Sequence, residues 1–233
     1  MKILLLLISL ILCVLAQTPP TPPLYPTPSH ALQLSICQSV SVFCPPGFNN
    51  NTIASQTYYD YDNNRSSAQD TNSLNSPSDY NIDQTFISQN ENTLTTRLYW
   101  VAPGNNTIQC FSTVVPGGLP SPTMLLNATY IGQETFQGVN CNIWRTVAST
   151  KIAELYYYVN IATNTIVGFA TYDKSQFGYI LDLKQTPLNE KAFYEPEGIS
   201  CPPVGPSYLS SVQKFLVRTQ LLRLGVVAIE LFD

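Results

Sequence analysis

Apolar and polar positions alternate along much of the chain. The clearest run is ELYYYVNIATNTIVGFATYD, from Glu154 to Asp173, where the turn residues ATNT separate two β-like segments. In a strand, successive side chains point to opposite faces. Ala153, Leu155, Tyr157, Val159 and Ile161 therefore share one face, against Glu154, Tyr156, Tyr158 and Asn160 on the other. The first face must be kept from water, whereas the second is aromatic with polar tips. The next strand sets Val167, Phe169 and Thr171 against Ile166, Gly168, Ala170 and Tyr172. Its small residues leave room for a ligand or a second layer to come close.

The same reading places strands at Thr52 to Tyr61, Leu94 to Ala102, Thr107 to Val115, Leu125 to Ile131, Val139 to Val147 and Gly178 to Lys184. APGNN, VPGG and QG supply turn residues between them. Short, regularly spaced strands with little helix predict an antiparallel sheet, as a sandwich or a curved roll. Helical spacing is confined to the C-terminal end. Between Ser207 and Leu224, Val212, Phe215, Leu216 and Leu222 alternate with Lys214, Arg218 and Arg223, which predicts an amphipathic helix docked on the sheet.

Four flanking or inserted segments complete the layout. MKILLLLISLILCVLA, residues 1–16, is a secretory signal peptide, with an apolar run too short for a typical membrane span. Residues 17–36 begin with QTPPTPPLYPTPS and are expected to be a Pro-rich linker, followed by one domain over 37–206. Within that domain, the polar stretch from Asn63 to Asp83 is expected to be a long insertion loop. Residues 207–233 form a tail whose apolar end, interrupted by Glu230, is too short to cross a bilayer.

A signal peptide makes the four Asn-x-Ser/Thr sequons, at Asn50, Asn64, Asn105 and Asn127, candidates for glycosylation in a secreted chain. It also leaves five cysteines in the mature protein, Cys37, Cys44, Cys110, Cys141 and Cys201. Two disulfides and one leftover thiol are expected. The 11 basic residues against 15 acidic ones argue against a nucleic-acid partner. His30 is the only histidine and sits in the Pro-rich stretch, so neither a histidine-based triad nor a zinc or haem site is expected. Carboxylates are plentiful, but no spacing selects a catalytic pair, and the reading is of a protein that is not an enzyme. Asp60 and Asp62, in YYDYDNNR, are the candidate calcium ligands. A polar hairpin accounts for the same residues.

Several pieces in order resemble the ependymin-related family of secreted glycoproteins. These are FCPPGF (Phe43 to Phe48), TYYDYDNNR (Thr57 to Arg65), LYWVAPGNNTIQCF (Leu98 to Phe111), NATYIGQETFQGVNCNIWR (Asn127 to Arg145) and ISCPPV (Ile199 to Val204). The resemblance implies a mainly β fold, a strongly curved antiparallel sheet forming a half-barrel around a hydrophobic cavity, with a few helical segments. It implies disulfides Cys110–Cys201 and Cys44–Cys141, leaving Cys37 for a homodimer. It further implies an extracellular or lysosomal glycoprotein linked to calcium and cell adhesion, binding a lipid-like ligand on the concave face. Trp100, Trp144, Tyr157, Val159, Phe169, Tyr179 and Leu181 are then the expected wall residues. Two alternatives stand beside this: that the same side chains pack an ordinary core, and that the chain is an adhesion or matrix glycoprotein with no ligand pocket in use.

Overall fold

The computed structural model describes residues 19–39, 41, 44, 52–74, 81–101, 107–146 and 154–223. The expected signal peptide, the APGNN turn, Asn50 and Asn105 lie outside the described residues. Eleven strands form one antiparallel sheet: β1 (Ser29–Cys37), β2 (Thr52–Asp60), β3 (Arg65–Leu74), β4 (Asn81–Asn90), β5 (Thr93–Val101), β6 (Ile108–Pro116), β7 (Thr129–Phe136), β8 (Val139–Arg145), β9 (Leu155–Asn160), β10 (Ile166–Thr171) and β11 (Gln176–Lys184). The order is β6-β5-β4-β3-β2-β1-β11-β10-β9-β8-β7, so the sheet is open, with β6 and β7 as its edges. One helix, α1 (Ser211–Arg223), follows.

The sheet curls into a half-barrel. Leu94, Phe111 and Val115 on β5 and β6 share one core cluster with Trp144, Leu155 and Tyr157 on β8 and β9. In a flat sheet, β6 and β8 would lie roughly 40 Å apart at about 4.8 Å per strand. Only a strongly curved sheet brings them together. Residues 117–128 link the two edge strands, and their Leu119 and Leu125 are buried in the same cluster.

The structure corrects two expectations drawn from the sequence. The region expected to be a linker contains β1, the strand that joins the two halves of the sheet by pairing with β2 and β11. Its inward residues Ser29, Ala31, Gln33, Ser35 and Cys37 are buried, and Leu34 and Ile36 pack on the opposite face. The polar stretch expected to be an insertion loop contains β3, bonded on both sides, and the start of β4. Serine, threonine and glutamine make poor apolar patterns, yet their backbones pair like any others, and Ser66 and Ser67 are buried there. A smaller shift falls at Met124–Asn127, a 3-10 turn where a strand was expected.

The alternation from Leu155 to Thr171 holds on both faces until a β-bulge between Ile166 and Gly168. The bulge shifts the phase by one residue. Ile166 therefore joins Phe169 inside, while Val167 turns outward. The β7–β8 hairpin turns on Gln137 and Gly138, both at positive φ (52° and 77°), as a two-residue turn of the type favoured by strand twist requires. It curls over the outer face, where the Phe136 ring stacks on Tyr158 at 4.0 Å and Tyr179 at 5.1 Å.

Asp173 organises the β10–β11 turn by accepting hydrogen bonds from Thr171 Oγ1 (2.7 Å), Ser175 N (3.0 Å) and Ser175 Oγ (2.8 Å). Partial burial pushes its pKa up, but these hydrogen bonds outweigh burial and leave it below the ordinary value. A depressed carboxylate pKa contributes stability that is present above the unfolded value and is lost as pH falls through the folded one. Asp173→Ala is expected to cost about 1 kcal/mol at neutral pH, after discounting for solvent screening. The gap between variant and parent at neutral pH should narrow at an acid pH low enough to protonate Asp173 in the folded state. Urea unfolding at the two pH values checks this, and a gap that persisted in acid would contradict it.

Candidate ligand site

The concave face brings together five of the seven expected wall residues. Trp144, Tyr157, Val159 and Phe169 are buried in the main cluster, and Trp100 packs against it with its ring 5.4 Å from Phe111. Tyr179 and Leu181 are not part of this wall. They lie on the outer face with Phe136 and Val167, because their positions on β11 are out of phase with the inward Ile180.

The concave face is filled by the chain itself. Leu216, Val217, Leu221 and Leu222 of α1 are all buried in the main cluster, joined by Tyr25, Leu119 and Leu125. The helix is not docked by one face as its pattern suggested, since Thr219 and Gln220 are buried as well. Gln220 is accommodated because the sheet beneath it is polar in the middle. Gln220 Nε2 donates to Asp70 Oδ2 at 3.3 Å, and Ser55 Oγ donates to Asp70 Oδ1. Gln220 also borders a small void shared with Thr57, Ser66 and Thr85.

The filling leaves polar atoms unpaired. Gln33 Oε1, Thr85 Oγ1, Thr96 Oγ1, Thr113 Oγ1, Trp144 Nε1 and Tyr157 OH are buried on the wall without a hydrogen-bond partner in the structure, as is Thr219 Oγ1 on the helix. Each such group costs about 1–3 kcal/mol when left unmade, and natural folds leave few of them. Burial pushes the Tyr157 phenol well above its ordinary pKa, so it remains a donor. Thr96 and Thr113 face each other across β5 and β6, on the same side as Leu94, Leu98 and Phe111. Their phase is visible in LTTRLYW and CFSTVV, and the alternation that marks apolar wall positions also marks these two hydroxyls.

α1 reaches the concave face by way of a strap across the outside. Arg65 pairs with Glu190 (2.7 Å), and its guanidinium lies 4.1 Å from the Phe193 ring centroid. Tyr99 OH donates to Glu195 at 2.7 Å, and a disulfide joins Cys110 to Cys201. The second disulfide is Cys37–Cys44, not Cys44–Cys141. Cys37 ends β1, and the Cα of Cys44, seven residues on, lies 5.6 Å away, whereas Cys141 is buried on β8 among outer-face aromatics. The leftover thiol is thus Cys141, and Cys37 is already paired, which removes the basis for a dimer through Cys37. Disulfides persist in oxidising compartments, and two of them fit an exported chain.

Asp60, one of the two candidate calcium ligands, is held by Arg65 Nε and Asn63 Nδ2, each at 2.9 Å, while Asp62 is exposed in the turn. Among the described residues no three acidic, cysteine or histidine side chains form a metal group. No described helix is long and apolar enough to cross a membrane. Asn64 and Asn127 are both exposed.

The architecture defines the class: an open eleven-stranded antiparallel half-barrel with a helix in its hollow. The family described as Domain of unknown function (DUF8395) matches residues 40–197, and the chain belongs to that family. Among curated proteins none matches this chain. Among solved structures it is similar to an uncharacterized conserved protein from Thermus thermophilus, with 11% identity over 77% of this chain and 90% of that one and a TM-score of 0.44. A DUF1329 family protein from Desulfovibrio piger gives 12% identity, 72% and 89% coverage and a TM-score of 0.35. The complex of Pseudomonas aeruginosa MucA and MucB gives 6% identity, 72% and 55% coverage and a TM-score of 0.35. Likenesses this distant support no conclusion about function.

Proposed function

We propose that this is a secreted glycoprotein that binds a single-chain, lipid-like amphiphile on the concave face of its sheet, with α1 occupying the site when no ligand is bound. The observation behind this reading is the mismatch between wall and filler. Apolar side chains that suit a hydrocarbon chain are interspersed with buried, unpartnered hydroxyl, indole and amide atoms. A ligand with an uncharged, hydrogen-bonding head and an apolar tail satisfies both sets, as in a monoacylglycerol.

Energetics set the tail length. Exposing Leu216, Val217, Leu221 and Leu222 costs about 6–12 kcal/mol, at roughly 1.5–3 kcal/mol per buried side chain. A tail that replaces them at about 0.8 kcal/mol per methylene needs on the order of a dozen methylenes. Long-chain lipids meet that requirement and short ones do not.

Both tryptophans of the chain, Trp100 and Trp144, stand on this wall. A monoacylglycerol brominated along its tail should therefore quench tryptophan emission at near-stoichiometric ratio, with little quenching by a short-chain analogue. Absence of quenching at saturating lipid would end the proposal.

A further inference from the structure

The outer face carries a cleft that the concave reading does not use. The β7–β8 hairpin, bent at the bulge between Tyr130 and Gly132, folds over the sheet until Phe136 lies on β9 and β11. Gly168 makes this closeness possible: a Cβ there would stand 2.5 Å from Phe136 Cε1. Between the hairpin tip and β1 a half-open cleft of about 440 Å³ remains. Its walls are Leu34 and Ile36 of β1, Phe136 and Val139 of the hairpin, Val167 of β10 and Leu181 of β11, with Tyr179 on the floor. Leu181 is 43% exposed although it belongs to an apolar surface.

We infer that this cleft is a second binding site, for the hydrocarbon part of a small neutral molecule. Three features select that occupant. The volume lies within the range of small-molecule sites, about 300–1,000 Å³. Among the described residues no charged side chain lines the cleft, which disfavours an anionic or cationic head, and Gln137 at the hairpin tip supplies one amide at the edge. The exposed lining is far smaller than the roughly 800 Å² per partner that a stable protein interface buries, which disfavours a second copy or another protein. The hairpin also holds the cleft open in advance, because the Phe136 stack on Tyr158 and Tyr179 fixes its wall.

Methyl-resolved NMR of the full mature chain, titrated with 1-octanol, tests this site directly. Saturable shifts should concentrate on the methyls of Leu34, Ile36, Val139, Val167 and Leu181. Leu181→Glu, at a position exposed enough to keep the fold, should weaken binding by roughly tenfold or more by placing a charge against the chain. Val139→Phe should weaken it similarly by filling the space. Unmoved cleft methyls, or full affinity in both variants, would overturn the inference. So would cleft shifts that grow with protein concentration in the absence of octanol, since they would mark self-association. The tryptophan quenching of the concave site is a separate readout, unaffected by Leu181→Glu, so either site can fail without the other.

Discussion

Leu221→Ala is expected to weaken the fold and strengthen ligand binding. Leu221 is 0% exposed and sits in the main cluster, so truncation costs about 2–5 kcal/mol in a typical core. In an ordinary core that loss carries no benefit. Here the lost contacts are those that hold α1 in the hollow, and a ligand that must displace α1 binds with an affinity reduced by the fraction of molecules in which the hollow is open. Lowering the cost of opening by about 2 kcal/mol raises apparent affinity roughly thirtyfold, at 1.4 kcal/mol per factor of ten. The measurement is a titration of brominated monoacylglycerol against parent and variant, paired with urea unfolding of both. Lower stability with unchanged or weaker affinity would show that α1 is a permanent part of the core.

The sheet was legible in the sequence where its two faces differ in kind. The segments containing β2, β5, β6 and β8 to β11 announce themselves because apolar residues recur at every second position and turn residues bound them. β1 and β3 do not. In β1 the inward side chains are Ser29, Ala31, Gln33, Ser35 and Cys37, small or polar, and the run begins directly after a stretch of prolines that reads as extended linker. Six of the ten β3 residues are serine, glutamine, asparagine or threonine, and its pairing partners rather than its side chains make it a strand. The same polar middle of the sheet explains why the site was only half visible. Tyr157, Val159 and Phe169 could be placed on one face by their phase and the other wall residues came with the family resemblance, whereas Gln33, one of the unpartnered polar side chains, sits on β1, which reads as linker. The occupant was legible as a helix and not as a filler, because burial of Thr219 and Gln220 follows from what they face and not from helical spacing. Of the two disulfides the resemblance implies, Cys110–Cys201 is present, and Cys44–Cys141 is not, for a different reason. Cysteine identity gives no distance, and Cys37 and Cys44 meet only because the chain turns back between β1 and β2.

Gly178→Ala and Phe169→Ala, each damaging alone, are expected to be far less so together. Gly178 lies opposite Phe169 on β11 and β10, and the three atoms nearest to a Cβ built on Gly178 are all Phe169 ring carbons, in overlap. Adding that methyl forces the ring aside, at about 1–3 kcal/mol for overpacking. Removing the ring costs about 3–5 kcal/mol by cavity formation. In the double variant the methyl enters space the ring has left, so the second substitution costs little, and a urea double-mutant cycle should give a coupling of at least about 1 kcal/mol. Gly168 provides the contrast. A Cβ there meets Phe136 Cε1 at 2.5 Å and also the Gly178 carbonyl oxygen at 2.6 Å, and that oxygen belongs to the backbone. Gly168→Ala should therefore remain destabilising even when Phe136 is truncated, because shrinking a side chain does not move the neighbouring strand. Equal coupling in the two cycles would mean that the sheet gives way as readily as a ring does.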